Sequence, residues 1–195
     1  TAAKTSKAHL IPVDDRTHLN ENLIYEAFKL LEIAPPTPWI DPNLNVLIPM
    51  AGEGSRFSKA GYTFPKPLIE VKNKPMIQVV CENLAIQATY TYIVKEDHYN
   101  KYNLKYLLEL ISPGSNIVRV NQTTEGAACT TLLAESIINN DKPLLIANSD
   151  QYIKWNSQEC LYFFSDKSID AGILTFKATH PKWSYAKVDK DGFVK

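Results

Sequence analysis

The stretch Asn45-Val46-Leu47-Ile48-Pro49-Met50-Ala51-Gly52-Glu53-Gly54-Ser55-Arg56-Phe57 decides how the rest of the chain is read. Its first six residues are a short apolar run bounded by turn formers, the pattern of a buried strand. Two glycines follow at once. Their lack of a Cβ lets backbone N–H groups approach a phosphate closely. Two familiar phosphate loops are excluded by single residues. The dinucleotide fingerprint needs a third glycine where Phe57 stands, and the P-loop needs a closing Gly-Lys-Ser/Thr that is absent. The remaining possibility is a phosphate loop completed by a side-chain cation.

Arg56 is one candidate for that cation, and the chain holds only Arg16 and Arg119 besides. Its planar fork suits phosphate oxygens. Ten residues on, Phe64-Pro65-Lys66-Pro67-Leu68 places a lysine between two prolines. Each proline narrows the backbone, so Lys66 is expected in a fixed pose. Either cation alone reads as part of a solvated turn. Together, behind a strand and a glycine pair, they read as a phosphate site.

Outward from this loop the pattern alternates. Helical spacing is predicted over Lys74–Ala88, Tyr99–Ile111, Gly126–Ile138 and Trp155–Phe164. Strands are predicted at Tyr90–Val94, Asn116–Val120, Pro143–Ala147 and Ala171–Phe176, with Pro143–Ala147 apolar enough to be buried on both faces. A hairpin begins at Tyr185–Val188 and turns at Asp191-Gly192. Strands alternating with helices imply an α/β fold with a mainly parallel sheet, whose ligands sit beyond the carboxyl ends of the strands. The loops to inspect are then 51–66, 121–126 and 148–151.

Residues 1–44 read as an extension, and 45–195 as the main domain. The extension carries an amphipathic helix over 20–33, with Leu23, Ile24, Ala27, Phe28, Leu30 and Leu31 on its apolar face, followed by Pro35-Pro36-Thr37-Pro38. The chain opens at Thr1, and its last hairpin strand has barely begun at Lys195, so the domain is expected to be incomplete at its C-terminal end.

Composition narrows the function. The 195 residues are 45% hydrophobic and 10% aromatic, which is enough for a real core. Lys+Arg and Asp+Glu are both 21, so no global field draws the chain to nucleic acid or an anionic membrane. Cys81, Cys129 and Cys160 are widely spaced and read as small buried hydrophobes in a reducing compartment, hence a cytoplasmic protein. His98 reads as a surface residue rather than a base.

Two further loops carry candidate chemistry. In Asn121-Gln122-Thr123-Thr124-Glu125-Gly126, Gln122 offers a donor and an acceptor to a nucleobase edge, and Gly126 admits a flat ring. A capped helix start explains the same residues equally well. In Ala147-Asn148-Ser149-Asp150-Gln151, an aspartate just past an apolar strand can hold a hard cation against phosphate, or cap the next segment of chain.

Three ordered blocks, Ala51-Gly52-Glu53-Gly54-Ser55-Arg56-Phe57, Pro65-Lys66-Pro67-Leu68 and Lys74-Pro75-Met76-Ile77, resemble the N-terminal signature of sugar-1-phosphate nucleotidylyltransferases. The resemblance runs from about residue 45 onward. It implies a three-layer Rossmann-like nucleotidyltransferase fold. It also implies that Ala51, Gly52, Glu53, Gly54 and Ser55 wrap a nucleoside triphosphate, with Arg56 and Lys66 on its phosphates. Gln122, Glu125 and Gly126 would read the base. Asp150 would bind Mg²⁺, and Tyr185-Ala186 would face the sugar. Three features depart from the family pattern. The glycine loop is shorter than Gly-Gly-x-Gly-Thr-Arg and carries Glu53; Tyr185-Ala186 stands where the family has Tyr-Gly; and the Glu-Lys-Pro block and later metal aspartate are not found before the chain ends.

The activity so implied is Mg²⁺-dependent nucleotidyl transfer to a sugar-1-phosphate, with release of pyrophosphate. Its partners are the two substrates, with room for a homo-oligomer and with neither nucleic acid nor membrane. Rivals are a cytidylyltransferase acting on a phospho-alcohol such as phosphocholine, a non-catalytic nucleotide-binding module, and a glycosyltransferase. The last is disfavoured because Asn148-Ser149-Asp150 supplies one acid of the usual Asp-x-Asp pair.

Overall fold

The computed structural model describes residues 40–52, 61, 64–122, 124–164, 170–181, 183–190, 193 and 194. The expected helix over 20–33, the proline linker, and Glu53, Gly54, Ser55 and Arg56 lie outside the described residues. Contacts divide the chain into two compact units, one ending at Glu159 and the other starting at Cys160.

Among the described residues, the first unit is built on a four-stranded sheet. Its strands are β1 (Ile40–Pro49), β4 (Gln87–Lys95), β5 (Asn116–Val120) and β6 (Leu144–Ile146). The first of them begins at Ile40, earlier than the domain start expected at Asn45. The strands lie in the order β5-β4-β1-β6, and every pairing is parallel. From β1 the chain steps outward to β4 and β5, then returns to the far side of β1. Strand order therefore reverses between β1 and β6, and such a switch point opens a crevice at the carboxyl ends of the strands.

The centre of the sheet is buried because it is apolar on both faces. Val46, Leu47 and Ile48 of β1 and Tyr92, Ile93 and Val94 of β4 are fully buried. Neighbours along a strand point to opposite faces. Ile93 packs with Leu47, Ala51, Val120 and Ala134 on one side. On the other, the Tyr92 hydroxyl lies 3.2 Å from Cys81 Sγ and 2.7 Å from Ser112 Oγ. Helical segments thus cover both faces, giving the three layers expected from the sequence.

Several expectations are corrected. The helix predicted over Lys74–Ala88 is α1 (Met76–Leu84), preceded by a hairpin of β2 (Glu70–Val71) and β3 (Lys74–Pro75). Its two-residue turn holds Lys72 and Asn73 at φ 52° and 64°, the doubly left-handed turn that matches strand twist. The helix predicted over Tyr99–Ile111 is two, α2 (Glu96–Lys101) and α3 (Leu104–Ile111), because Asn103 turns left-handed at φ 50°. That over Gly126–Ile138 is likewise α4 (Ala127–Leu132) and α5 (Glu135–Ile138). The last helix, α6 (Ser157–Phe164), starts later than predicted, where Asn156 Oδ1 accepts from the N–H groups of Gln158 and Glu159 at 3.0 and 3.2 Å.

Strand β6 is not buried on both faces. It is paired with β1 alone among the described residues, and Leu144 and Ile146 are 39% and 56% exposed. In the second unit, 171–176 forms no strand. Its apolar run is real, but Ile173, Leu174 and Phe176 stay exposed and no described strand lies beside it. Val188 and Val194 form an antiparallel bridge there, with Asp189 N–H donating to the Phe193 carbonyl at 2.9 Å, while the expected turn at Asp191-Gly192 lies outside the described residues. His98 is half-buried against the Tyr102 ring, and burial pulls its pKa below the usual value.

The cysteines separate by environment. Cys81 is buried as expected, Cys160 is half-buried, and Cys129 is exposed. Burial pushes the Cys81 thiol up, and hydrogen bonds from Tyr92 and Ser112 only partly offset this. Because the thiolate is the reactive form, Cys129 should alkylate at pH 8 roughly 100-fold faster than Cys81. Peptide mapping after timed iodoacetamide treatment measures this, and equal rates would contradict the packing around Tyr92.

Candidate active site

The crevice at the switch point is framed by two strand ends. Met50 N–H donates to the Ile93 carbonyl at 2.9 Å, fixing the end of β1 to β4. Ala147 N–H donates to the Leu47 carbonyl at 3.0 Å, carrying the β6 ladder one residue past the strand. The glycine loop leaves from the first of these ends and the Asp150 turn from the second. Ala51 is buried and packs in the core, while Gly52 is exposed. A Cβ built on Gly52 meets no described residue within 4 Å. The described residues therefore do not demand glycine at that position.

Lys66 reaches the same crevice. Pro65, at ψ 151°, leads into a short 3-10 turn over Lys66–Leu68. The turn is closed by Leu68 N–H donating to the Pro65 carbonyl at 2.8 Å. Pro67 is buried, so the turn is anchored on one side while Lys66 projects from the other. Lys66 Nζ forms an ion pair with Asp150 Oδ2; the side chains are 37% and 27% exposed. Sequence reading selected these residues from loops 84 positions apart, and the fold brings them together. A pair this exposed is worth at most about 1 kcal/mol, so a phosphate or a cation can displace it at little cost.

A third loop leaves β5. Gln122, Glu125 and Gly126 are all exposed there. Gly126 is extended, a conformation open to any residue, and a Cβ on it meets no described residue within 4 Å. Its carbonyl accepts from the hydroxyls of Thr124 and Thr130, both at 3.1 Å. Those two threonines were not singled out from sequence, because a hydroxyl bracing a carbonyl leaves no periodic mark. β5 stands three strands from β6, so the two loops are about 14 Å apart along the carboxyl edge. That span suits an elongated ligand with a flat group at one end and charge at the other.

Tyr185 and Ala186 lie in the second unit and are exposed. The Tyr185 hydroxyl donates to the His180 carbonyl at 2.9 Å. Among the described residues no three His, Cys, Asp or Glu side chains gather as a metal cluster. Asp150 alone still fits Mg²⁺, which is commonly held by one or two carboxylates plus substrate phosphates and water. No described helix is long and apolar enough to cross a membrane.

Residues 45–194 match the family described as nucleotidyl transferase. A mannose-1-phosphate guanyltransferase of Yarrowia lipolytica is 31% identical over 159 residues, covering 76% of this chain and 42% of that protein. Mannose-1-phosphate guanylyltransferase 1 of Arabidopsis thaliana is 26% identical over 71% of this chain and 39% of its own length. A solved nucleoside-diphosphate-sugar pyrophosphorylase from Vibrio cholerae RC9 superposes with a TM-score of 0.45 at 24% identity, over 54% of this chain and 47% of that one. The chain spans about two fifths of the length of the curated relatives it matches. The resemblance read from the three loop blocks is borne out by the family match, and the chain belongs to the nucleotidyl transferase family.

Proposed function

We propose that the protein transfers a nucleotidyl group from a nucleoside triphosphate to a sugar-1-phosphate, releasing pyrophosphate. The observation that carries this reading is the meeting of Lys66 and Asp150 at the carboxyl ends of the strands, by the switch point. A sugar-1-phosphate oxygen attacks the α-phosphorus in line. The bond from that phosphorus to the bridging oxygen breaks, and pyrophosphate leaves with the electron pair. The attacking group is already an anion, so no protein nucleophile or base is required. Positioning and charge neutralisation are enough.

In this scheme Lys66 exchanges Asp150 for the β- and γ-phosphates and stabilises the departing charge, together with Arg56. Asp150 would hold Mg²⁺, which would supply charge neutralisation for the phosphates. Ala51, Gly52, Glu53, Gly54 and Ser55 follow the triphosphate. Gln122, Glu125 and Gly126 face the base, and the family resemblance assigns Tyr185 and Ala186 to the sugar. The names of the curated relatives favour GTP and mannose-1-phosphate as the first pair to try.

The test is a pyrophosphate-release assay on this chain and on any longer natural form. It crosses four nucleoside triphosphates with several sugar-1-phosphates and phosphocholine, with Mg²⁺ and with EDTA. Release that needs both a sugar-1-phosphate and Mg²⁺ is expected. Release with phosphocholine alone would move the protein to the phospho-alcohol class.

A further inference from the structure

We propose that Asn83 is a positioning residue that holds Asp150 in place by clamping the chain behind it. The proposal rests on the metal role given to Asp150 under the proposed function. Asn83 sits near the C-terminal end of α1. Its Nδ2 donates to the Ile153 carbonyl at 2.8 Å, and its Oδ1 accepts from Ile153 N–H at 2.8 Å. Trp155 Nε1 donates to the Asn83 backbone carbonyl at 3.1 Å. Residues 151–156 form no helix or strand, so nothing regular fixes their backbone. The Asn83 amide gives Ile153 the paired donor and acceptor that a neighbouring strand would otherwise provide.

Ile153 is three residues beyond Asp150, a reach of roughly 10 Å at full extension. Asp150 is therefore tethered on both sides, by the β6 ladder before it and by the clamp after it. The other end of α1 serves Lys66. Met76 N–H, at the start of the helix, donates to the Ile69 carbonyl at 2.9 Å, just past the Lys66–Leu68 turn. One helix thus ties down both members of the ion pair, and Asn83 is its contact with the acidic one.

The experiment compares Asn83→Ala and Trp155→Phe, alone and on an Asp150→Asn background, in the whole chain. Trp155→Phe keeps an aromatic ring and removes the indole N–H, so it covers the case in which Asn83→Ala folds poorly. Amide exchange and MgGTP affinity are read. In Asn83→Ala, the Ile153 amide is expected to exchange at least tenfold faster while Val80 and Leu84 are unchanged. MgGTP affinity is expected to fall at least fivefold, with GTP affinity in EDTA unchanged within twofold. On the Asp150→Asn background the same substitution should cost nothing more, because residues acting through one group are not additive. Trp155→Phe should move each value the same way by a smaller factor. An Ile153 amide that stays protected, or an equal loss of MgGTP affinity on both backgrounds, overturns the clamp. Failure of the underlying site reading would show separately, as unchanged MgGTP affinity in Asp150→Asn alone.

Discussion

Asp150→Asn is expected to lower Mg²⁺-dependent pyrophosphate release by about 100-fold or more, a barrier increase of about 2.7 kcal/mol. The substitution keeps shape and removes charge. An amide oxygen is a poor ligand for a hard cation that already prefers water, so the phosphates lose the group that draws them together. Folding should hardly change. Asp150 and Lys66 form a partly exposed ion pair, and such pairs contribute at most about 1 kcal/mol. Thermal unfolding should therefore stay within a few degrees of the parent while activity falls. Full activity in Asp150→Asn would remove Asp150 from the metal site.

Lys66→Ala is the second large effect, at least tenfold on triphosphate binding or turnover. The argument is geometric as well as electrostatic. Pro65 and the buried Pro67 hold the turn, so Lys66 loses little backbone entropy when it meets an anion. A freely rotating surface lysine would give much less. Lys66→Arg should recover part of the loss, because charge is kept while the compact ammonium becomes a wider fork. Binding is read by titration of GTP in Mg²⁺, and turnover by pyrophosphate release. If both are unchanged in Lys66→Ala, the cation in this loop is incidental.

The main elements were legible because they follow from local chemistry. Asn45–Met50 and Tyr90–Val94 are apolar runs too short for core helices, and central strands run through both, the first ending at Pro49. Lys66 was legible as a cation held between two prolines, and Asp150 as a carboxylate just past an apolar strand. The features that stayed hidden depend on tertiary placement. Leu144 and Ile146 are as apolar as a central strand, but apolarity does not reveal whether a strand has one neighbour or two. The break at Asn103 rests on one left-handed residue inside a helical pattern. The hairpin at Lys72-Asn73 lacks the Asn-Gly pair that would have announced it. Asn83 is a polar residue on a helix, with no periodic signal, and its partners Ile153 and Trp155 lie about 70 positions away.

The most direct measurement tracks the α-phosphorus itself. The chain, and any longer natural form, is incubated with GTP labelled at the α-phosphate, mannose-1-phosphate and Mg²⁺. The account expects label to appear in a nucleotide sugar, with one pyrophosphate formed for each label transferred and none when mannose-1-phosphate is left out. Exchanging the triphosphate or the sugar phosphate for others in the panel would refine the substrate without changing that stoichiometry. Binding of every triphosphate with no pyrophosphate from any sugar-1-phosphate, or label released as free nucleotide regardless of sugar phosphate, would contradict it.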